Sequence, residues 1–131
     1  MNHARPIFVY ALVSTRDEGR LPWYIGQSVD VFGRLKKHAL SGHASKVEWI
    51  RAERAAGFEI QARILEECDS QAGANNREAY WISRFITINP NLLNGTRGGS
   101  PTRPAYLQSI LAQQREAMAA DTAWLASLET T

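Results

Sequence analysis

Cysteine is almost missing from this chain. Cys68 stands alone among 131 residues, so no internal disulfide can form and packing must hold the fold, which is compatible with a reducing, cytoplasmic setting. Long hydrophobic runs are missing as well. The longest apolar stretch, Ile7 to Val13, falls far short of the roughly 20 residues that a membrane helix needs, and Met1-Asn2-His3-Ala4-Arg5 is not followed by a cleavable apolar segment. The chain therefore reads as unprocessed and not membrane-inserted. No internal repeat or low-complexity segment occurs, and His3, His38, His43 and Cys68 have no zinc-site spacing. Charge of one sign is scarce too, because the formal net charge is only +2. What remains is 44% hydrophobic residues with four Trp, four Tyr and four Phe, enough for one packed soluble domain and unlike a disordered or collagen-like chain. The charge is unevenly spread. Residues 1–63 carry a balance of +4 and residues 64–131 one of −2, so the first half is the better surface for a polyanion.

The order of elements follows from periodicity. Ile7 to Val13 is continuously apolar and rich in β-branched and aromatic residues, which predicts a central strand buried on both faces. A polar loop, Ser14 to Arg20, leads to a second strand over Leu21 to Ile25, with Pro22 near its start and Gly26 ending it. Helical spacing begins at Ser28, with Val31, Leu35 and Ala39 on one stripe, Ser28 or Asp30 as N-cap and an end near Leu40. Ser45-Lys46-Val47-Glu48 fits a capping box and opens a second helix that runs to Ala56, before Gly57. Phe58 to Ile64 alternates strictly, which predicts a third strand with one wet face. A third helix covers Ala72 to Ile88, with Ala79, Ile82 and Ile86 on one stripe and Phe85 beside it. After the glycine-rich loop Leu92 to Pro101, a helix starting at Pro104 reaches Leu128 and carries Leu107, Leu111, Met118, Leu125 and Leu128 at three- and four-residue steps. The expected fold is a small α/β domain: a three-stranded antiparallel or mixed sheet flanked by helices over residues 1–100, plus a long C-terminal helix over 101–131. That helix packs on the domain or mediates association, as a monomer or homodimer.

Several side chains stand out chemically. Tyr10 and Tyr24 lie on strands expected to pair, so their phenols can meet on one side of the sheet. Arg34 and His38, four apart, put a permanent cation and a titratable imidazole on one helix face, while Lys36 and Lys37 on other faces suit a nucleic-acid backbone. Glu78 sits on or beside the face that the third helix should bury, either with a cation, a metal or hydrogen-bond donors as its partner or as a first-turn acid at the helix dipole. Asn94 precedes Gly95-Thr96-Arg97-Gly98-Gly99, a loop whose glycines let backbone N–H groups converge on an anion. One hard cation held by Glu78 and water fits magnesium or manganese better than zinc.

Phe8-Val9-Tyr10, Trp23-Tyr24-Ile25-Gly26-Gln27-Ser28, Arg34, His38, Glu78, Asn94 and Gly98-Gly99, taken in order, resemble the GIY-YIG nuclease superfamily over residues 7 to about 99. The resemblance implies an endonuclease that hydrolyses phosphodiester bonds in DNA with one Mg2+ or Mn2+ ion. It assigns Tyr10, Tyr24, Arg34 and Glu78 to catalysis, with Glu78 on the metal, and matches His38 to a frequent but variable histidine, Gly26 to the motif glycine and Asn94 to a polar residue that supports the site. With these, His38 is expected to be catalytic, and Gly26, Lys36, Lys37, Asn94 and Arg97 to meet DNA or phosphate. Phe8 departs from the pattern, standing where the family has glycine. The alternative is a nuclease-like module that binds DNA or a partner without cleaving.

Overall fold

The structure, a computed structural model, describes residues 5–40, 44–94 and 104–129, with side chains of the last helix described from residue 111 to 128. Three strands, β1 (Ile7–Ser14), β2 (Tyr24–Ser28) and β3 (Ile60–Cys68), form one antiparallel sheet in the order β2-β1-β3. Its helices are α1 (Val31–Lys37), α2 (Ala44–Ala55), α3 (Gln71–Phe85) and α4 (Pro104–Glu129). The α/β class and the central position of β1 agree with the sequence pattern, and the sheet proves antiparallel throughout. Among the described residues no helix is long and apolar enough to cross a membrane.

β1 is apolar on both faces because both faces are covered. Phe8, Tyr10 and Leu12 enter one buried cluster with Tyr24, Val31, Ile50, Ile60 and Ile64, and Val9 and Ala11 enter another with Ile25, Leu65, Trp81 and Phe85. Alternating side chains of one strand thus feed two cores.

Several element boundaries differ from the periodicity, each for a physical reason. β2 begins at Tyr24 instead of Leu21 and continues through Gly26 to Ser28, because Gly26 is a packing position opposite Tyr10 and not a terminator. α-Helical bonding in α1 stops at Lys37, three residues before Leu40; His38 and Leu40 close tighter turns onto Leu35 and Lys37, and Arg51 Nε donates to the Ala39 carbonyl. Asp30, not Ser28, caps its start by accepting from Gly33 N. α2 already includes Ser45, so the expected capping box lies inside the first turn, and its buried residues are Lys46, Ile50 and Glu53. β3 runs to Cys68 because a bulge between the pairs Val9–Glu66 and Tyr10–Ile64 leaves Leu65 unmatched, which buries Ile64 and Leu65 in succession and breaks the alternation. α3 ends at Phe85, and its buried stripe is Ala74, Glu78, Trp81 and Phe85; Ile86, expected inside, is exposed. Two large aromatic rings outweigh the smaller aliphatic stripe.

α4 lies along the outer edge of β3. Its apolar residues Leu111, Met118, Leu125 and Leu128 do pack on the two clusters, but the middle of its buried face is polar. Gln114 accepts from Val31 N (2.6 Å) and donates to the Val29 carbonyl (3.1 Å), while Asp121 accepts from Ile64 N (2.8 Å) and pairs with Arg63. Both therefore satisfy backbone groups that would otherwise be buried without partners. Leu107 lies outside the described side chains. Replacing Gln114 by Ala should lower the unfolding free energy by about 1–3 kcal/mol, since it strands a buried N–H at the start of α1; urea denaturation measures the loss.

Candidate active site

The antiparallel register sets the two tyrosines. Tyr10 faces Gly26 and Leu12 faces Tyr24, so the phenols are diagonal neighbours on one side of the sheet. Gly26 makes this possible. A Cβ there would stand 2.5 Å from the Tyr10 hydroxyl oxygen and 2.7 Å from the carbon bearing it, too close for any side chain. Phe8 is fully buried two residues before Tyr10 in the same cluster, so the departure from the glycine pattern is absorbed as packing and Tyr10 still reaches its partners.

His38, at the C-terminal end of α1, comes down onto both tyrosines. Its ring centre is 5.8 Å from that of Tyr10 and 5.4 Å from that of Tyr24, each edge-on. Nε2 lies 2.6 Å from the Tyr10 hydroxyl, and Nδ1 lies 2.6 Å from Nζ of Lys46. Tyr10, His38 and Lys46 are each 1% exposed. Burial pushes the Tyr10 phenol above its ordinary range, reinforced by Tyr24 and opposed by the charge and hydrogen bonding of Arg34. Tyr24 is raised by burial and by the charge of Glu78, again against Arg34. Burial, then Lys46 and Arg34, lowers His38 to about 3, so the imidazole is neutral at physiological pH. Lys46 falls to about 8, through burial and the neighbouring Arg34. Arg34, half-buried on α1, thus acts on all four groups.

Glu78 lies two turns inside α3, not in its first turn, so the dipole role falls away. It is 3% exposed, and its Oε1 accepts from Gln27 Nε2 at 2.6 Å. Gln27, beside Gly26 and Ser28 on β2, also donates to Asn75 and accepts from Gln71, so a chain of amides fixes the carboxylate. Among the described residues no group of three or more His, Cys, Asp or Glu could hold a metal ion. Glu78 is the carboxylate of this group that could meet a hard cation, and such a cation keeps much of its own water where the protein offers few ligands.

Lys36 and Lys37 are exposed on α1. Asn94 engages backbone: its amide accepts from Ile25 N (2.7 Å) and donates to the Ile25 carbonyl (2.6 Å). Arg97 and the glycines around it lie outside the described residues. Lys46 and Gln27 were not singled out by the sequence. Gln27 sits inside the Tyr24–Ser28 motif, whereas Lys46 fits a capping pattern equally well; its one signal is the stripe Lys46, Ile50, Glu53, in which only the middle residue is apolar.

A family model described as the GIY-YIG catalytic domain matches residues 6–91. No curated protein and no solved structure matches the chain.

The buried imidazole has a consequence for stability. An unfolded histidine titrates near pH 6.5 and His38 near 3, so between these values the unfolded chain binds the extra proton and the fold weakens as pH falls, by up to about 1.4 kcal/mol per pH unit from this group. Urea denaturation at pH 7, 5.5 and 4.5 should show a shallower pH dependence for His38→Gln than for the parent. Gly26→Ala should destabilise by about 1–3 kcal/mol through the clash with Tyr10, read as a drop in the melting midpoint.

Proposed function

The chain belongs to the GIY-YIG nuclease family, and from that membership we propose that it is a metal-dependent endonuclease that hydrolyses phosphodiester bonds in DNA. The observation that carries this reading is the convergence of Tyr10, Tyr24, Arg34 and His38 on one face of the sheet, within electrostatic reach of a buried Glu78. A structural role alone does not call for that many ionisable groups in one buried place.

Hydrolysis of a phosphodiester needs a deprotonated water, donors for the phosphoryl oxygens and relief of charge on the leaving oxygen. Glu78, oriented by Gln27, would hold one Mg2+ or Mn2+ ion, which supplies charge neutralisation beside the phosphate. Arg34 donates to the nonbridging oxygens; its planar fork suits two of them at once and stays charged. Tyr10 is the better base of the two tyrosines, because its hydroxyl meets His38 Nε2 at 2.6 Å, whereas Tyr24 meets the imidazole ring edge-on. A phenol raised by burial is rarely ionised at neutral pH, so it works as a relay, taking the proton of water while passing its own to the imidazole. Tyr24, edge-on to His38, walls the same space and holds the imidazole in place. Lys36 and Lys37 offer exposed charge to the flanking backbone phosphates, and Arg97 is assigned the same role from its place in the sequence.

Nicking of supercoiled plasmid in the presence of Mg2+, with an EDTA control, tests the reading. Glu78→Ala and Arg34→Ala should each slow cleavage by about 100- to 1,000-fold with the fold intact by circular dichroism. Parental rates in both variants, or no metal-dependent cleavage by the parent, would overturn the assignment.

A further inference from the structure

Lys46 is an anomaly in this protein. Of three lysines, two are on the surface of α1, and the third is almost wholly enclosed, with Nζ 2.6 Å from His38 Nδ1. Together with the 2.6 Å contact between His38 Nε2 and the Tyr10 hydroxyl, this forms an unbroken line of two short hydrogen bonds from a catalytic phenol to an amine on another helix.

The chemistry of the three groups limits what the line can do. An ammonium has donors and no acceptor, so a charged Lys46 must donate to the Nδ1 lone pair. The neutral imidazole then carries its proton on Nε2 and donates it to Tyr10. In that state Tyr10 cannot pass a proton inward. Once Lys46 has lost a proton it can accept, and every bond in the line can reverse: Tyr10 donates to Nε2, and Nδ1–H donates to Nζ.

We propose that Lys46 is a positioning residue that acts through His38, choosing its tautomer and serving as the inner end of a proton relay that lets Tyr10 accept a proton. This rests on the reading of Tyr10 as the group that takes the proton of the attacking water. In the working cycle, Lys46 first gives one proton to solvent. As an O–H bond of water breaks and its oxygen bonds to phosphorus, the water proton passes to Tyr10. The Tyr10 proton passes to Nε2 of His38, and the Nδ1 proton passes to Nζ. The bond from phosphorus to the leaving oxygen breaks with its electron pair on that oxygen, which takes a proton from bulk water. Lys46, now an ammonium, returns its proton to solvent before the next turnover.

The surroundings of Lys46 favour this role. Arg34 and His38 face it from α1, the Tyr24 ring lies 5.5 Å away on β2, and Tyr10 lies beyond the imidazole on β1; Glu53, two turns along α2, is engaged with Ser14 and Arg16. Burial and Arg34 bring the amine down to about 8, within reach of neutral solution, while His38, near 3, stays uncharged throughout.

Two measurements on the full chain test the inference. The first needs no activity: 15N NMR of the His38 ring in the parent should show the proton on Nε2 at pH 6.5 and a shift toward Nδ1 as pH rises through 8 to 9.5. A tautomer constant over that range would overturn the proposal. The second is the pH profile of plasmid nicking. The parent should show kcat rising with a midpoint near 8, and Lys46→Met, which fills the same space without a charge, should lose that rise and lower kcat about 10- to 100-fold at pH 8.5 with KM unchanged. Lys46→Arg, which cannot give up its proton, should also lack the rise. A retained limb in Lys46→Met would overturn the proposal. An inactive parent with a switching His38 tautomer would instead overturn the nuclease reading and leave the hydrogen-bonded relay standing, and if Lys46→Met does not fold, the NMR titration of the parent still decides.

Discussion

Both faces of β1 are buried, and the rest of the molecule is arranged around that constraint. A strand with two wet faces could not hold Tyr10 rigidly, and one with a single covered face would leave either Phe8, Tyr10 and Leu12 or Val9 and Ala11 in water. Covering both takes α1 and α2 on one side and α3 on the other, and the two connections that accomplish this also deliver Arg34, His38, Lys46 and Glu78. The Leu65 bulge lets β3 serve both cores: before it Ile60 and Ile64 join the tyrosines, and after it Glu66 meets Arg77 and Trp81 of α3. One inserted residue thus changes which helix the strand addresses.

The site places polar groups where apolar ones would be easier to bury. Tyr10, His38, Lys46, Gln27 and Glu78 are all nearly enclosed, and each needs partners to offset the loss of water. They obtain them from one another and from amides, which makes the group cooperative: removing one member leaves the next without its partner. The low local dielectric that raises the tyrosines and lowers His38 and Lys46 has the same origin. Preorganisation for chemistry and a cost in stability are two readings of one arrangement.

Legibility of the sequence followed apolar pattern. β1, the order of elements and the pairing of the tyrosine strands could be read because aliphatic and aromatic residues dominate there, and Tyr10, Tyr24, Arg34, His38 and Glu78 because their order and spacing match a family. Polar burial was opaque. The stripe of α2 is two-thirds charged, that of α3 contains Glu78, and that of α4 contains Gln114 and Asp121, so periodicity of hydrophobic residues points to the wrong angle or to none. Such faces are defined by partners distant in sequence: Lys46 by His38, Gln27 by Glu78, Gln114 by the start of α1. A single chain read locally does not contain those pairings.

The sheet's two outer margins are treated alike by unrelated segments. On β2, the Asn94 amide takes the N–H and carbonyl of Ile25 much as a neighbouring strand would, with Leu93 N donating to the Trp23 carbonyl. On β3, Asp121 of α4 takes Ile64 N. Open strand margins invite other chains to add on, and each of these two is partly occupied by a segment that is not a strand. At Ile25 and Ile64 the backbone groups that an added strand would pair with are already taken, so such a strand would first have to displace Asn94 or Asp121.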